Sequence, residues 1–245
     1  MRLLSSLKNA AINVTKGIVK AVEVTCEACE EAFRWGKGKC HEIQEKIERW
    51  QTKGGTPPVD PIPQEIKTSY ETKVKSTKDK IKEIFPSGVK EACTKLTPEE
   101  RKDKVLEIAE AATQILGIDN PPQIVFEIPD NEEDLWRSYG SYNHKDNVLE
   151  LNLAMIVTEE PNLFQEQIST VFHEMIHARQ LRAIDALRQG VSCENMGYTD
   201  SWVANLANNW INYILPRENH EAYTKQPIEA EAYWFEQQLG LTSLN

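Results

Sequence analysis

The chain has 245 residues, 40% of them hydrophobic and 27% charged, which suits one large domain or two small ones of ordinary globular balance. Its net charge of −10 is uneven: residues 1–90 carry 17 basic and 12 acidic side chains, residues 91–245 carry 11 and 26. That asymmetry predicts two modules, and the acidic one would repel phosphates, which argues against nucleic acid as a partner.

No run is apolar enough to span a bilayer, and Lys16 and Lys20 interrupt the region a cleavable signal peptide would need. The cysteines are Cys26, Cys29, Cys40, Cys93 and Cys193. An odd count without a signal reads as reduced thiols in a chain that is cytoplasmic at synthesis. Export by a dedicated secretion system would leave no trace in such features.

From Leu4 and Leu7 through Ala11, Val14, Ile18 and Ala21 to Ala28 and Ala32, apolar positions recur at steps of three and four. This spacing predicts a helix, and CHEIQEKIERW (40–50) a second, giving a helical hairpin over residues 1–50. The stripe suits packing on a partner helix. Because Arg2, Lys8, Lys16 and Lys20 precede the first acid, Glu23, the other reading is a basic helix lying on an anionic membrane. A protein or membrane partner is therefore expected here. Cys26-x2-Cys29 with Cys40-His41 has the pair spacing of a small zinc site, but the continuous helix around it favours thiols on a buried stripe.

The glycines and prolines of TKGGTPPVDPIPQ predict a linker over residues 51–66. A domain of residues 67–245 follows, with a basic helix over 64–90 at its start. That helix either presents a solvated face or covers the active site as an inhibitory segment. In LTPEERKDKVLEIAEAATQILGI (96–118), Thr97, Pro98 and Glu100 predict a capping-box start, and Val105, Ile108, Ala112, Ile115 and Leu116 a buried stripe. Strands are predicted at 122–128 and 147–153, and helices at 165–190, 201–215 and 226–240. The intervening loops 129–145 and 190–201 would shape specificity. The fold class is α+β, predominantly helical, with a small mixed sheet.

Two of the five histidines lie in VFHEMIHARQ (171–180), inside the longest predicted helix. His173 and His177 are at i and i+4, so both imidazoles share one face and can bind one zinc ion. Glu174 lies one step round, placed to reach a metal-bound water without ligating the metal. Surface histidines on a core helix are the plain alternative, but the apolar neighbours Val171, Phe172, Met175 and Ile176 suit a buried helix. A catalytic zinc needs a third protein ligand. The position six after His177 is Ala183, and Gln180 stands where a glycine would, which excludes the metzincin type. Asp185 is too far along the helix. Glu229, Glu231 and His220 remain as sources.

HEMIHARQ followed about fifty residues later by QPIEAEAYWFE resembles the gluzincin-type zincin metallopeptidases, over roughly residues 97–240. The resemblance implies a zincin-like catalytic domain with one Zn2+ per chain, held by His173, His177 and a glutamate of the last helix, with Glu174 as general base. In that family a polar residue four positions after the ligand glutamate supports the first histidine. Glu229 with Tyr233 fits the offset, which favours Glu229 and leaves Glu231 as the alternative; Tyr233 replaces the usual acid.

The resemblance also implies that the strand at 147–153 is the sheet edge on which an extended peptide pairs. It further implies an oxyanion-stabilising donor, for which Tyr198, His220 and Tyr223 are the candidates. The expected function is zinc-dependent hydrolysis of a peptide or protein substrate, in one version as a secreted bacterial effector or toxin. The alternative is a non-enzymatic adaptor or membrane-associated protein that uses an inactive zincin fold as a scaffold; intact His173, Glu174 and His177 count against it.

Overall fold

The chain divides into the units Met1–Thr56 and Pro57–Asn245. The structure, a computed structural model, describes residues 62–128, 139–216 and 218–241, all in the second unit. The expected hairpin over 1–50, the Cys26, Cys29, Cys40 and His41 cluster and the linker as far as residue 61 lie outside the described residues.

Helix α1 spans Gln64–Ile84, so it takes the last three residues of the expected linker. It stops short of residue 90 because Pro86 offers no backbone donor and disfavours helical geometry in the residue before it. Helix α2 (Val89–Lys95) follows a turn at Gly88. Helix α3 (Pro98–Leu116) has the predicted capping box: Thr97 accepts from the Glu100 amide, and Glu100 accepts from the Thr97 amide at 2.8 Å. Val105, Ile108, Ala112 and Leu116 are buried as expected, whereas Ile115 is half-buried.

Strands β1 (Gln123–Glu127), β2 (Gly140–Asn143) and β3 (Val148–Asn152) form one mixed sheet. Its order is β1-β3-β2, with β1 parallel and β2 antiparallel to β3. The strand predicted at 147–153 is therefore the central one and not the edge, which corrects the role its resemblance gave it. Leu149 and Leu151 point into the core. The edge beside the helices is β2, taken from sequence as loop because GSYN lacks an apolar alternation.

The short helix α4 (Leu153–Val157) leads to α5 (Pro161–Arg188), which carries the two histidines. Apolar side chains such as Phe164, Ile168, Val171, Phe172, Ile176 and Ile184 bury α5 nearly all round, as a central helix requires. Around it pack α2, α3, α4, α6 (Asp200–Ile211), α8 (Pro227–Leu239) and the sheet, with α7 (His220–Lys225) leading into α8. Helix α6 ends four residues before the predicted stop, and α7 occupies what the sequence suggested was loop.

Helix α1 is not a detachable cover. Its Ile66, Tyr70, Ile81 and Ile84 are buried, and it packs on α3 and α8. Each buried isoleucine contributes about 1.5–3 kcal/mol of transfer free energy. Lys75, Lys78 and Lys82 are exposed and Lys67, Lys73 and Lys80 half-buried, but the helix is part of the core and none of its residues lines the cleft described below.

Strand β2 also lies close to α5. A Cβ at Gly140 would stand 2.7 Å from the Glu150 carbonyl oxygen, 3.1 Å from Leu151 Cδ2 and 3.3 Å from Thr170 Cγ2. Only glycine permits this approach. Gly140→Ala is expected to reduce the unfolding free energy by about 1–3 kcal/mol, the cost of overpacking, as measured by urea denaturation.

Candidate metal centre and its cleft

Helix α5 presents His173 and His177 one turn apart, with ring centroids 4.9 Å from each other. Helix α8 crosses them and brings Glu229 from its first turn. Glu229 Oε2 is 3.3 Å from His173 Nε2, and Oε1 is 3.4 Å from His177 Nε2. All three residues are buried, Glu229 to 1% exposure. One ligand atom from each lies within 4.8 Å of the others, a group able to hold a metal ion.

The hydrogen bonds on the far side of each ring fix which nitrogen is free. His173 Nδ1 faces Glu236 Oε2 at 3.1 Å, a carboxylate that can only accept, so the ring proton sits on Nδ1. His177 Nδ1 faces Gln180 Oε1 at 3.0 Å, and Gln180 uses its amide nitrogen to donate to the Ile228 carbonyl at 3.0 Å. His177 Nδ1 is thus also the protonated nitrogen. Both Nε2 lone pairs point at Glu229, whose buried Oε2 accepts no hydrogen bond.

Lone pairs facing a carboxylate repel unless a cation stands between them. In a tetrahedral zinc site with bonds of about 2.0–2.1 Å, neighbouring ligand atoms are roughly 3.3–3.4 Å apart; each Glu229 oxygen stands at that separation from one imidazole nitrogen, Oε2 from His173 and Oε1 from His177. The residues present fit a metal of the zinc type. An all-oxygen donor set, as calcium or magnesium takes, is not what they offer.

Without metal, protons must fill the gap. Burial opposes a charge on His173, but the Glu229 and Glu236 carboxylates facing its two ring nitrogens outweigh it and push its pKa up to about 10. His177 is shifted the same way: burial opposes the charge and Glu229 favours it. Burial raises the Glu229 carboxyl, yet the two imidazoles hold it well below the usual carboxylate range.

The centre opens onto a cleft of about 410 Å3, lined by Glu174, His177 and Glu229 together with Gly140, Ser141 and Tyr142 of β2, and by Trp210, Tyr213 and Tyr223. Glu174 is half-buried. Burial raises its pKa, against the pull of the two histidines and a backbone hydrogen bond from Tyr142. That amide is an outward one. Asn152 N–H donates to the Tyr139 carbonyl at 3.0 Å, so the alternation along β2 turns the Tyr142 N–H away from β3.

The remaining predicted residues separate. Glu231, two residues after Glu229, points the other way and accepts from Tyr70, Tyr198 and Trp202. It is neither a ligand nor a solvated helix charge. Tyr198 donates to Glu231 at 2.5 Å and is 1% exposed, so it is not an oxyanion donor at the cleft. Tyr223 does line the cleft, and burial with the nearby Glu229 holds its phenol protonated. His220 stacks on Tyr223 with ring centroids 6.2 Å apart and does not line the cleft. Tyr233 meets the His173 ring edge-on at 4.7 Å, but Glu236 takes the hydrogen bond expected of it. Asp185 pairs with Arg188 on the surface.

Sequence reasoning missed Glu236, Gln180 and Tyr213, whose hydroxyl donates to Glu229 Oε1 at 2.5 Å. Helical spacing could have found the first two: Glu236 is seven residues from Glu229 and Gln180 three from His177. Tyr213 lies beyond the end of α6 and had no such signal.

Comparison with known proteins finds no matching family model, curated protein or solved structure. Among the described residues, no helix is long and apolar enough to cross a membrane.

The His173 shift has a pH signature. An imidazole whose pKa rises from 6.5 to about 10 on folding stabilises the fold fully below pH 6.5 and loses that contribution as pH climbs through 10. The melting temperature of chelator-treated protein should fall over this window. Zinc should flatten the fall, because it replaces the protons; calorimetry with and without zinc measures both curves.

Proposed function

We propose that the protein is a zinc-dependent peptidase. The observation that carries the reading is the convergence of two imidazole Nε2 atoms and one buried carboxylate beside a cleft that His177, Glu229 and a non-ligating acid, Glu174, all line. A zinc ion bound by His173, His177 and Glu229 would supply Lewis-acid polarisation and lower the pKa of its water to about 7.

The chain's own residues supply the rest. Glu236 and Gln180 hold each imidazole with Nε2 toward the ligand position. Glu174 is the general base: burial keeps its proton affinity above that of an ordinary carboxylate, which suits a group that takes a proton from water and returns it to the leaving amine. The outward backbone of β2 offers Gly140 and Tyr142 to an extended peptide by strand addition. A peptide pairing with the Tyr142 amide would displace the Glu174 carboxylate from it. Tyr213 and Tyr223 stand beside Glu229 with their phenols protonated; either would serve as donor to the oxygen that gains charge in the transition state, Tyr213 only by turning its single proton away from Glu229 Oε1.

Metal analysis of the purified chain should find one zinc, and proteins cleaved in a lysate should be identifiable by mass spectrometry. Glu174→Gln should retain the zinc and lose roughly 10²–10⁴-fold in turnover. Full activity in that variant, or no zinc in the parent, would remove the reading. Tyr213→Phe and Tyr223→Phe separate the two phenols: the one that steadies the oxyanion should lose about 10²-fold in kcat with KM little changed, in steady-state assays on a cleaved peptide.

A further inference from the structure

Behind the metal centre, on the opposite side of α8, lies a second polar cluster that the proposed reaction does not use. Glu231 Oε1 accepts from the hydroxyls of Tyr70 at 2.6 Å and Tyr198 at 2.5 Å, and Oε2 accepts from Trp202 Nε1 at 2.8 Å. The two phenolic oxygens are themselves 2.8 Å apart. The Arg179 guanidinium lies over both phenol rings, 4.6 Å from the Tyr70 centroid and 4.3 Å from that of Tyr198. It also donates to the Met196 carbonyl. Glu231, Tyr70, Tyr198, Arg179 and Trp202 are all buried, Glu231 to 0% exposure.

A buried carboxylate without partners is costly, so α8 is stable only in the rotation that brings Glu231 to its three donors. On a helix, residues seven apart share a face, while residues two apart are turned by about 200°. Glu229 and Glu236 therefore meet the imidazoles when Glu231 meets its cluster. The donors come from three directions: α1 through Tyr70, the segment before α6 through Tyr198, and the first turn of α6 through Trp202. Arg179 stands two residues beyond His177 on α5. The seat against α1 is tight: Gly197 has φ +76°, and a Cβ there would stand 3.1 Å from Ser69 of α1.

We propose that Glu231 is a positioning residue for the metal centre, and that with Tyr70, Tyr198, Trp202 and Arg179 it sets the rotation of α8 that presents Glu229 and Glu236 to the histidines. The proposal rests on the metal-binding reading given above. It makes α1 part of the scaffold of the site, although no residue of α1 reaches the cleft.

The test uses the full chain and zinc or cobalt alone. Zinc affinity is measured by competition with a chromophoric chelator, and coordination by the visible absorption of the cobalt form. Binding by the parent chain tests the metal centre itself, and its absence would end both readings. Given binding, Glu231→Gln and Tyr70→Phe should weaken zinc by about 10- to 100-fold and alter the cobalt bands. Tyr70→Phe leaves two of the three donors in place and decides the matter if Glu231→Gln does not fold. Ile108→Val, in the core of α3, serves as a control that lowers the melting temperature and leaves zinc affinity unchanged. If Tyr70→Phe and any folded Glu231→Gln bind zinc as the parent does, with the parent's cobalt spectrum and only a lower melting temperature, the cluster is structural alone and the proposal is overturned.

Discussion

The arrangement turns on one confrontation: the Glu229 carboxylate against the lone pairs of two imidazoles at 3.3 and 3.4 Å. At an effective dielectric of about 20, unit charges this close interact by roughly 4–5 kcal/mol, so whatever cation sits there matters to the whole fold. A single proton serves only one ring. Two protons put like charges on rings whose centroids are 4.9 Å apart, and the His173 charge does hold back that of His177. One divalent ion satisfies both imidazoles and the carboxylate together. The buried Oε2 of Glu229, without a hydrogen bond, is where that account would otherwise fail.

Three acids of α8 illustrate how one helix sorts identical side chains. Glu229 and Glu236 fall on the histidine face, one toward the Nε2 atoms and the other on His173 Nδ1. Glu231 falls opposite, among donors only. Each carboxylate is buried and each has a distinct environment, so their exchange by sequence offset alone is not possible: the helical period decides which acid does what.

The same period explains what was legible beforehand. The i, i+4 pair His173 and His177, the adjacent Glu174 and the capping box at Thr97 are local patterns whose geometry follows from a helix alone, and the structure has them as expected. Glu229 was preferred on an offset to Tyr233 that does not hold physically; the supporting acid is Glu236, one full heptad on. Strand β2 was hidden because Gly-Ser-Tyr-Asn has no apolar alternation, and its strand state comes from pairing with β3 and from the space Gly140 leaves. In α1 the lysines masked a buried stripe of Ile66, Tyr70, Thr77, Ile81 and Ile84, and one partner of Tyr70, Glu231, lies 161 residues away in the sequence. Tyr198 lay between the two motifs and so suggested the cleft, yet only tertiary packing could place it behind α8.

A metal held merely for stability and a metal held for chemistry make different demands on the chain. A structural site is closed by four protein ligands and needs no opening. Here two of the three candidate ligands, His177 and Glu229, line a cleft of about 410 Å3, and a further acid, Glu174, faces the same space and accepts from a strand-edge amide. Desolvation raises the pKa of this half-buried acid, and its charge favours positive charge on the two imidazoles. Under the proposed function the open side would admit a water and a peptide carbonyl, and the acid would then have a proton to accept. The outward backbone of β2 lies along the same cleft, so the element that would align a peptide and the group that would act on it are already neighbours.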